Sequence, residues 1–166
     1  PAAVAGTAIA NVVFNGLEQA QTVSGATAAI SQGGFRAEVN TFNASTNGPF
    51  SSYLRIHNNG QVAGVVTITV QNDDHTSGAM LGSSFTTASI LPGSTMQLSA
   101  AEIEGTTVST KLPAGGANVP VASRFGSYTL NATGPIVGYV QHILFDGHSV
   151  ADLSAFRNAG TAANAP

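Results

Sequence analysis

At 166 residues the chain is long enough to bury a core and short enough for one domain with an appendage. Hydrophobic residues make up 43% of it but charged residues only 8%, against roughly 25% in ordinary soluble domains, so its polar surface must be built from Ser, Thr, Asn, Gln and Gly. A net charge of −3 with five scattered Lys and Arg argues against nucleic-acid binding, and the lack of cysteine removes disulfides, thiolate metal sites and cysteine nucleophiles.

Few charges also mean little repulsion between copies, which favours close side-by-side packing over a freely dispersed enzyme. No apolar run is long enough to span a bilayer, and the first residues lack the basic start and apolar core of a signal peptide. A first residue of Pro1 fits either a trimmed initiator Met or a cleaved export signal.

In chain order, residues 1–34 form an Ala/Gly/Thr/Gln-rich arm with one β-capable patch at Ile9, Val12, Val13 and Phe14, ended by the turn signal Asn15-Gly16. It reads either as an edge strand of its own domain or as a strand added to a neighbouring copy, with those four residues as the assembly contacts. Residues 35–156 read as the main domain and 157–166 as a poorly packed tail. Phe35, Ala37 and Val39 alternate with Arg36, Glu38 and Asn40, the period of a half-buried strand.

The strongest pattern runs from Ser52 to Gln71. Leu54 and Ile56 alternate with Tyr53, Arg55 and His57, and Val66, Ile68 and Val70 with Thr67, Thr69 and Gln71, on either side of Asn59-Gly60. That predicts an antiparallel hairpin whose turn residues take positive φ. Asn72 to Gly78 reads as an exposed polar loop, and Met80, Leu81, Phe85 and Ile90 as one or two strands. Pro92-Gly93 is a turn and Thr95 to Leu98 a short strand.

Ser99-Ala100-Ala101-Glu102 predicts a capping box and a helical turn over Ala100 to Glu104. Gly105 to Phe125 reads as a long irregular connection of the kind that often binds partners. Ser127 to Asn131, Ile136 to Phe145 and Ser149 to Phe156 close the chain as strands, with hairpin chemistry at Asp146-Gly147 and His142 the histidine expected to be buried. The whole predicts an all-β antiparallel sandwich, with a jelly roll as the alternative.

The segments Ser-Tyr-Leu-Arg-Ile-His-Asn-Asn-Gly, Ile-Leu-Pro-Gly-Ser-Thr-Met-Gln-Leu-Ser-Ala-Ala-Glu and Gly-Tyr-Val-Gln-His-Ile-Leu-Phe, over about residues 51–156, resemble immunoglobulin-like sandwich domains of bacterial secreted and surface proteins. The resemblance implies a non-catalytic extracellular or cell-surface module and brings no catalytic residues with it.

Residues with chemical potential stay within that reading. Asp73, Asp74 and His75 form a candidate binding loop, and with Asp146, His148 and Asp152 they are the only places where calcium would find oxygen ligands, without the spacing of a calcium loop. His57, His75, His142 and His148 lack metal-ligand spacing apart from His142 and His148 across a turn, so no metal or other cofactor is expected. There is no nucleophile elbow, Glu102 is claimed by its cap and Glu104 ends the same turn, so no catalytic residue is assigned. Tyr53, Tyr128 and Tyr139 would be the members of any sugar-stacking platform.

The expected function is a structural subunit that self-assembles into an extracellular filament, fibre or surface layer, its partners being copies of itself. The alternatives are an adhesion or glycan-binding module with a cell-surface ligand, using the loops Asn72 to Gly78 and Gly105 to Phe125, and a virion decoration or fibre protein.

Overall fold

The computed structural model describes residues 34–72, 79–119 and 126–154, together with the backbone of two strands nearer the N-terminus. The chain divides into two compact units, Pro1–Gln32 and Gly33–Pro166. In the first, β1 (Thr7–Val12) and β2 (Gln21–Ala26) pair antiparallel, Thr7 opposite Ala26 and Val12 opposite Gln21, as a two-stranded sheet of their own. Ile9 and Val12 of the β-capable patch therefore lie on one strand of an antiparallel pair.

The second unit contains β3 (Phe35–Asn43), β4 (Ser51–Asn58), β5 (Thr67–Asn72), β6 (Phe85–Thr86), β7 (Thr95–Ser99), the helix α1 (Ala100–Glu104), β8 (Ser127–Gly134), β9 (Gly138–Phe145) and β10 (Val150–Asp152). Two four-stranded antiparallel sheets result, ordered β10-β9-β4-β7 and β3-β8-β5-β6. This is the all-β sandwich that the alternating pattern predicts. Leu54, Ile56, Leu98 and Val140 face Val39, Phe42, Ile68, Val70 and Leu130 across one continuous core. Each fully buried Leu or Ile contributes roughly 2 kcal/mol from the area it withdraws from water.

The strand parities at Phe35, Ala37 and Val39 hold, but a bulge breaks them at the end of β3. The register slips between Val39 and Phe42, and Thr41 takes φ 57°. Asn40 and Thr41 both point outward, and Phe42 turns in to complete burial instead of lying beside Glu38 on the solvent face.

The predicted hairpin around Asn59-Gly60 is overturned. β4 lies between β7 and β9 in one sheet and β5 between β8 and β6 in the other, so the connection crosses the sandwich instead of folding back. Neither Asn59 nor Gly60 has positive φ. The corner is built by the buried side chain of Asn58, which donates to the carbonyls of Val62 and Ile90, at 2.9 Å each, and accepts from the Gly60 N–H at 3.0 Å. Three bonds local to the corner, together with apolar faces on both strands, leave each strand free to pair elsewhere.

Pro92-Gly93 and Asp146-Gly147 turn as expected, with Gly93 at φ 70° and Gly147 at φ 90°. Met80 and Ile90 contribute only isolated bridges, opposite Gln71 and Gly64, and β6 is two residues long. The helix forms where the capping box places it. The Ser99 side chain accepts from the Glu102 N–H while the Glu102 carboxylate accepts from the Ser99 N–H, and Gly105 closes the turn at φ 80°.

The long connection after α1 is a strap over its described length. Leu112, Ala117 and Val119 are buried, and the Ala117 and Val119 N–H groups donate to the carbonyls of Ile103 and Glu104. Ser83 N–H and Ala88 N–H donate in turn to the carbonyls of Ala117 and Lys111, so both sides of the strap are stitched to the domain.

Candidate functional site

Two buried polar clusters and one outward face concentrate the chemistry of the described residues. The first cluster centres on His142 of β9. Its Nε2 lies 3.0 Å from the Ser52 hydroxyl on the paired strand β4, and that hydroxyl also accepts the Asn43 N–H at 3.1 Å. The ring lies 5.0 Å, centroid to centroid, from Phe42. Nδ1 is buried with no hydrogen-bond partner. Burial lowers the His142 pKa to about 4, the nearby Asp152 charge opposing only part of that shift, so the ring is neutral at physiological pH.

A serine hydroxyl against an imidazole is the first half of a nucleophile and base. The second half is missing, because the Asp152 carboxylate is taken by Gln141 and Ser154 and Nδ1 has no acid to orient it. Ser52 and His142 are each 1% exposed, so the pair has no face open to a substrate. Its role in this geometry is to pin β4 to β9 and to the bulged end of β3.

The second cluster is a carboxylate in the core. Glu104, 5% exposed, accepts the Tyr128 hydroxyl at 3.0 Å, the Ser45 N–H at 2.7 Å and the Ser45 hydroxyl. Helix, β8 and the loop after β3 are thereby tied through one side chain. Burial, then the facing Glu104 charge, pushes the Tyr128 phenol well above its ordinary range. Glu102 points the other way and pairs with Lys111 at 2.7 Å. Burial works against its ionisation, but hydrogen bonds from Lys111, Ser109 and Ser99 outweigh that and hold its pKa at about 2. The two glutamates are thus not a catalytic pair about one cleft.

The outward side of the sheet β10-β9-β4-β7 is organised by cross-strand rows. Tyr139, His57 and Thr95 form one row, Gln141, Arg55 and Gln97 the next, and Asp152, Ile143, Tyr53 and Ser99 the third. A chain of hydrogen bonds crosses all four strands. Thr95 Oγ1 lies 2.8 Å from His57 Nδ1, His57 Nε2 lies 2.8 Å from Gln141 Oε1, and Gln141 Nε2 donates to Asp152 Oδ2 at 3.1 Å. Because Gln141 Oε1 can only accept, His57 carries a hydrogen on Nε2, and the Thr95 hydroxyl, which can donate or accept, answers Nδ1. Hydrogen bonds from Ser154, foremost its hydroxyl, and from Gln141 lower the Asp152 pKa. His57 stacks on Tyr139 with centroids 4.3 Å apart, and Arg55 Nε donates to Gln97 Oε1 at 2.8 Å.

The sequence-derived candidates distribute unevenly over this picture. Ile9 and Val12 lie on β1, while Val13, Phe14, Asp73, Asp74 and His75 fall outside the described residues. Asp146 caps its own turn, accepting from the His148 and Ser149 N–H groups, and those bonds hold its pKa below the usual carboxylate range. Among the described residues no three His, Asp or Glu side chains converge as metal ligands, and no helix is long and apolar enough to cross a membrane. Tyr53 and Tyr139 share the outward face, whereas Tyr128 is in the core. Glu104, Asn58 and the row of His57 with Gln141 carry no sequence motif, since cross-strand neighbours depend on register. Compared with protein-family models, curated proteins and solved structures, the chain matches none.

Proposed function

We propose that this protein is a non-catalytic structural subunit that assembles with copies of itself, in an extracellular or cell-surface setting, through its N-terminal strands. The observation that carries the reading is the separate sheet β1-β2. Two six-residue strands bury too little to be stable alone in water and gain most by joining a third strand. A suitable template exists, because β3 ends its sheet order and is the longest strand at nine residues. Among the described residues the other edges of the two four-stranded sheets are the three-residue β10, the two-residue β6, and β7, whose Gln97 carbonyl already accepts from Lys111.

The immunoglobulin-like relationship belongs to the same proposal. It is supported by two pairings, β4 with β7 and β5 with β8, which correspond to the B–E and C–F neighbours of that sandwich. The flanking strands depart from it. β3 lies beside β8 and β9 beside β4, so the first strand and the one corresponding to G occupy each other's expected places.

The β1-β2 pairing sets the deletion that tests assembly. Light scattering and negative-stain electron microscopy on the full chain should show ordered oligomers, and removal of Pro1–Gln32 should leave a folded monomer. Oligomers that persist unchanged without that unit, or a full chain that is monomeric at high concentration, would sink the reading.

A further inference from the structure

The outward face of β9, β4 and β7 has a feature that assembly through the N-terminal strands does not use. Most of its polar groups are already committed to each other. Both ring nitrogens of His57 and both ends of the Gln141 amide are engaged, so these side chains are held in one arrangement before any ligand arrives. On β4 two groups are not committed among the described residues. The hydroxyl of half-buried Tyr53 has no partner among the described residues. Arg55, two residues along the same strand, is exposed and among the described residues uses only Nε, which donates to Gln97, leaving its terminal nitrogens without a partner there.

Among the described residues Arg55 also has no carboxylate partner. The one ion pair between side chains of the described residues is that of Lys111 with Glu102, and Asp152 spends its oxygens on Gln141 and Ser154. A guanidinium bonded through Nε alone, with an aromatic residue two positions along the strand, is suited to a planar anion that takes two parallel N–H···O bonds. Beside this face, and sharing Thr95 and Gln97 with it, lies an open hollow of about 450 Å³ bounded by Leu91, Ser94 and Lys111. The face and the hollow together make an extended, shallow surface whose middle carries Arg55, a cation in no ion pair among the described residues, with the Asp152 charge at the β10 side.

We propose that this surface binds an acidic polysaccharide built of uronic-acid units. The carboxylate of one unit pairs with the terminal nitrogens of Arg55, and the ring of the same or an adjacent unit stacks on Tyr53. The chain continues over Gln97 toward the hollow along β7. A polymer of isolated carboxylates fits a single cation better than a nucleic acid, whose charges are dense and need a basic track. A neutral sugar would leave the Arg55 charge unanswered. The proposal stands independently of the assembly reading.

The test is affinity electrophoresis of the full chain in gels containing sodium polygalacturonate, with neutral dextran as control. The wild-type protein should be retarded by polygalacturonate and not by dextran, and less so as salt rises. Arg55→Ala should weaken the association at least tenfold, Arg55→Lys should restore only part of it, and Tyr53→Ala should weaken it several-fold. Glu38→Ala, on the other sheet, should bind as the wild type does. Both β4 positions face outward, so far-ultraviolet circular dichroism should show unaltered folds. No retardation by polygalacturonate, equal retardation by dextran, or an Arg55→Ala protein that binds normally would each overturn the proposal.

Discussion

Glu104 and His142 are both polar side chains buried inside one sandwich, yet they are solved in opposite ways. Glu104 receives two hydroxyls and a backbone N–H from two other parts of the chain, Ser45 and Tyr128, so both its oxygens are answered. His142 has a partner at Nε2 and none at Nδ1, and it survives in the core only by staying neutral. A fully satisfied polar group acts as a tie whose loss leaves its donors stranded, whereas a half-satisfied one leaves its element conditional on pH.

The largest effect should come from cutting the satisfied tie. Glu104→Ala leaves the Tyr128 hydroxyl and the Ser45 N–H without their acceptor, and urea unfolding should show a loss of about 3 kcal/mol or more. Glu104→Gln, which keeps one acceptor oxygen in place, should lose less. If Glu104→Ala unfolds within 1 kcal/mol of wild type, the carboxylate is not the junction that the distances describe.

Next comes acid. The folded-state pKa of His142, about 4, lies below its unfolded value near 6.5, so between those values the unfolded chain binds a proton that the folded chain does not. Stability is unaffected by this group above pH 6.5, falls as pH drops from there to 4, and has lost up to about 3 kcal/mol below that. Unfolding curves across this window, compared with those of His142→Leu, isolate the contribution. The variant should lack this part of the slope, and parallel curves for the two proteins would contradict the burial of a neutral ring.

The smallest effect is expected where the same chemistry is only partly buried. Ser99→Ala removes the side-chain half of the capping box and should cost about 1 kcal/mol, because water replaces the lost bond. A loss as large as that of Glu104→Ala would erase the distinction between stranded and solvated partners.

Local chemistry was legible wherever one residue decides it. The alternation at Leu54 and Ile56 marks a half-buried strand, Ser99 with Glu102 marks the start of the helix, and Gly93 and Gly147 mark turns, since each follows from backbone geometry within a few residues. Even the burial of His142 could be read from its place on a mostly apolar strand. The candidate sites were less legible, because Arg55 and His57 read as ordinary outward-facing strand residues until their neighbours on β7 and β9 are known.

What the amino-acid order determined by itself was the all-β class, the faces of most strands, the position of the helix and the turns at Gly93 and Gly147. Only the tertiary structure decided which strands pair. Asn59-Gly60 offers a hairpin, but a hairpin there would put β4 beside β5, while each finds longer partners in opposite sheets, β9 along eight residues and β8 along six. Phe42 likewise turns inward only because a bulge at Thr41 shifts the register against β8. Pairing and register are sums over contacts distant in sequence, and no local propensity contains them.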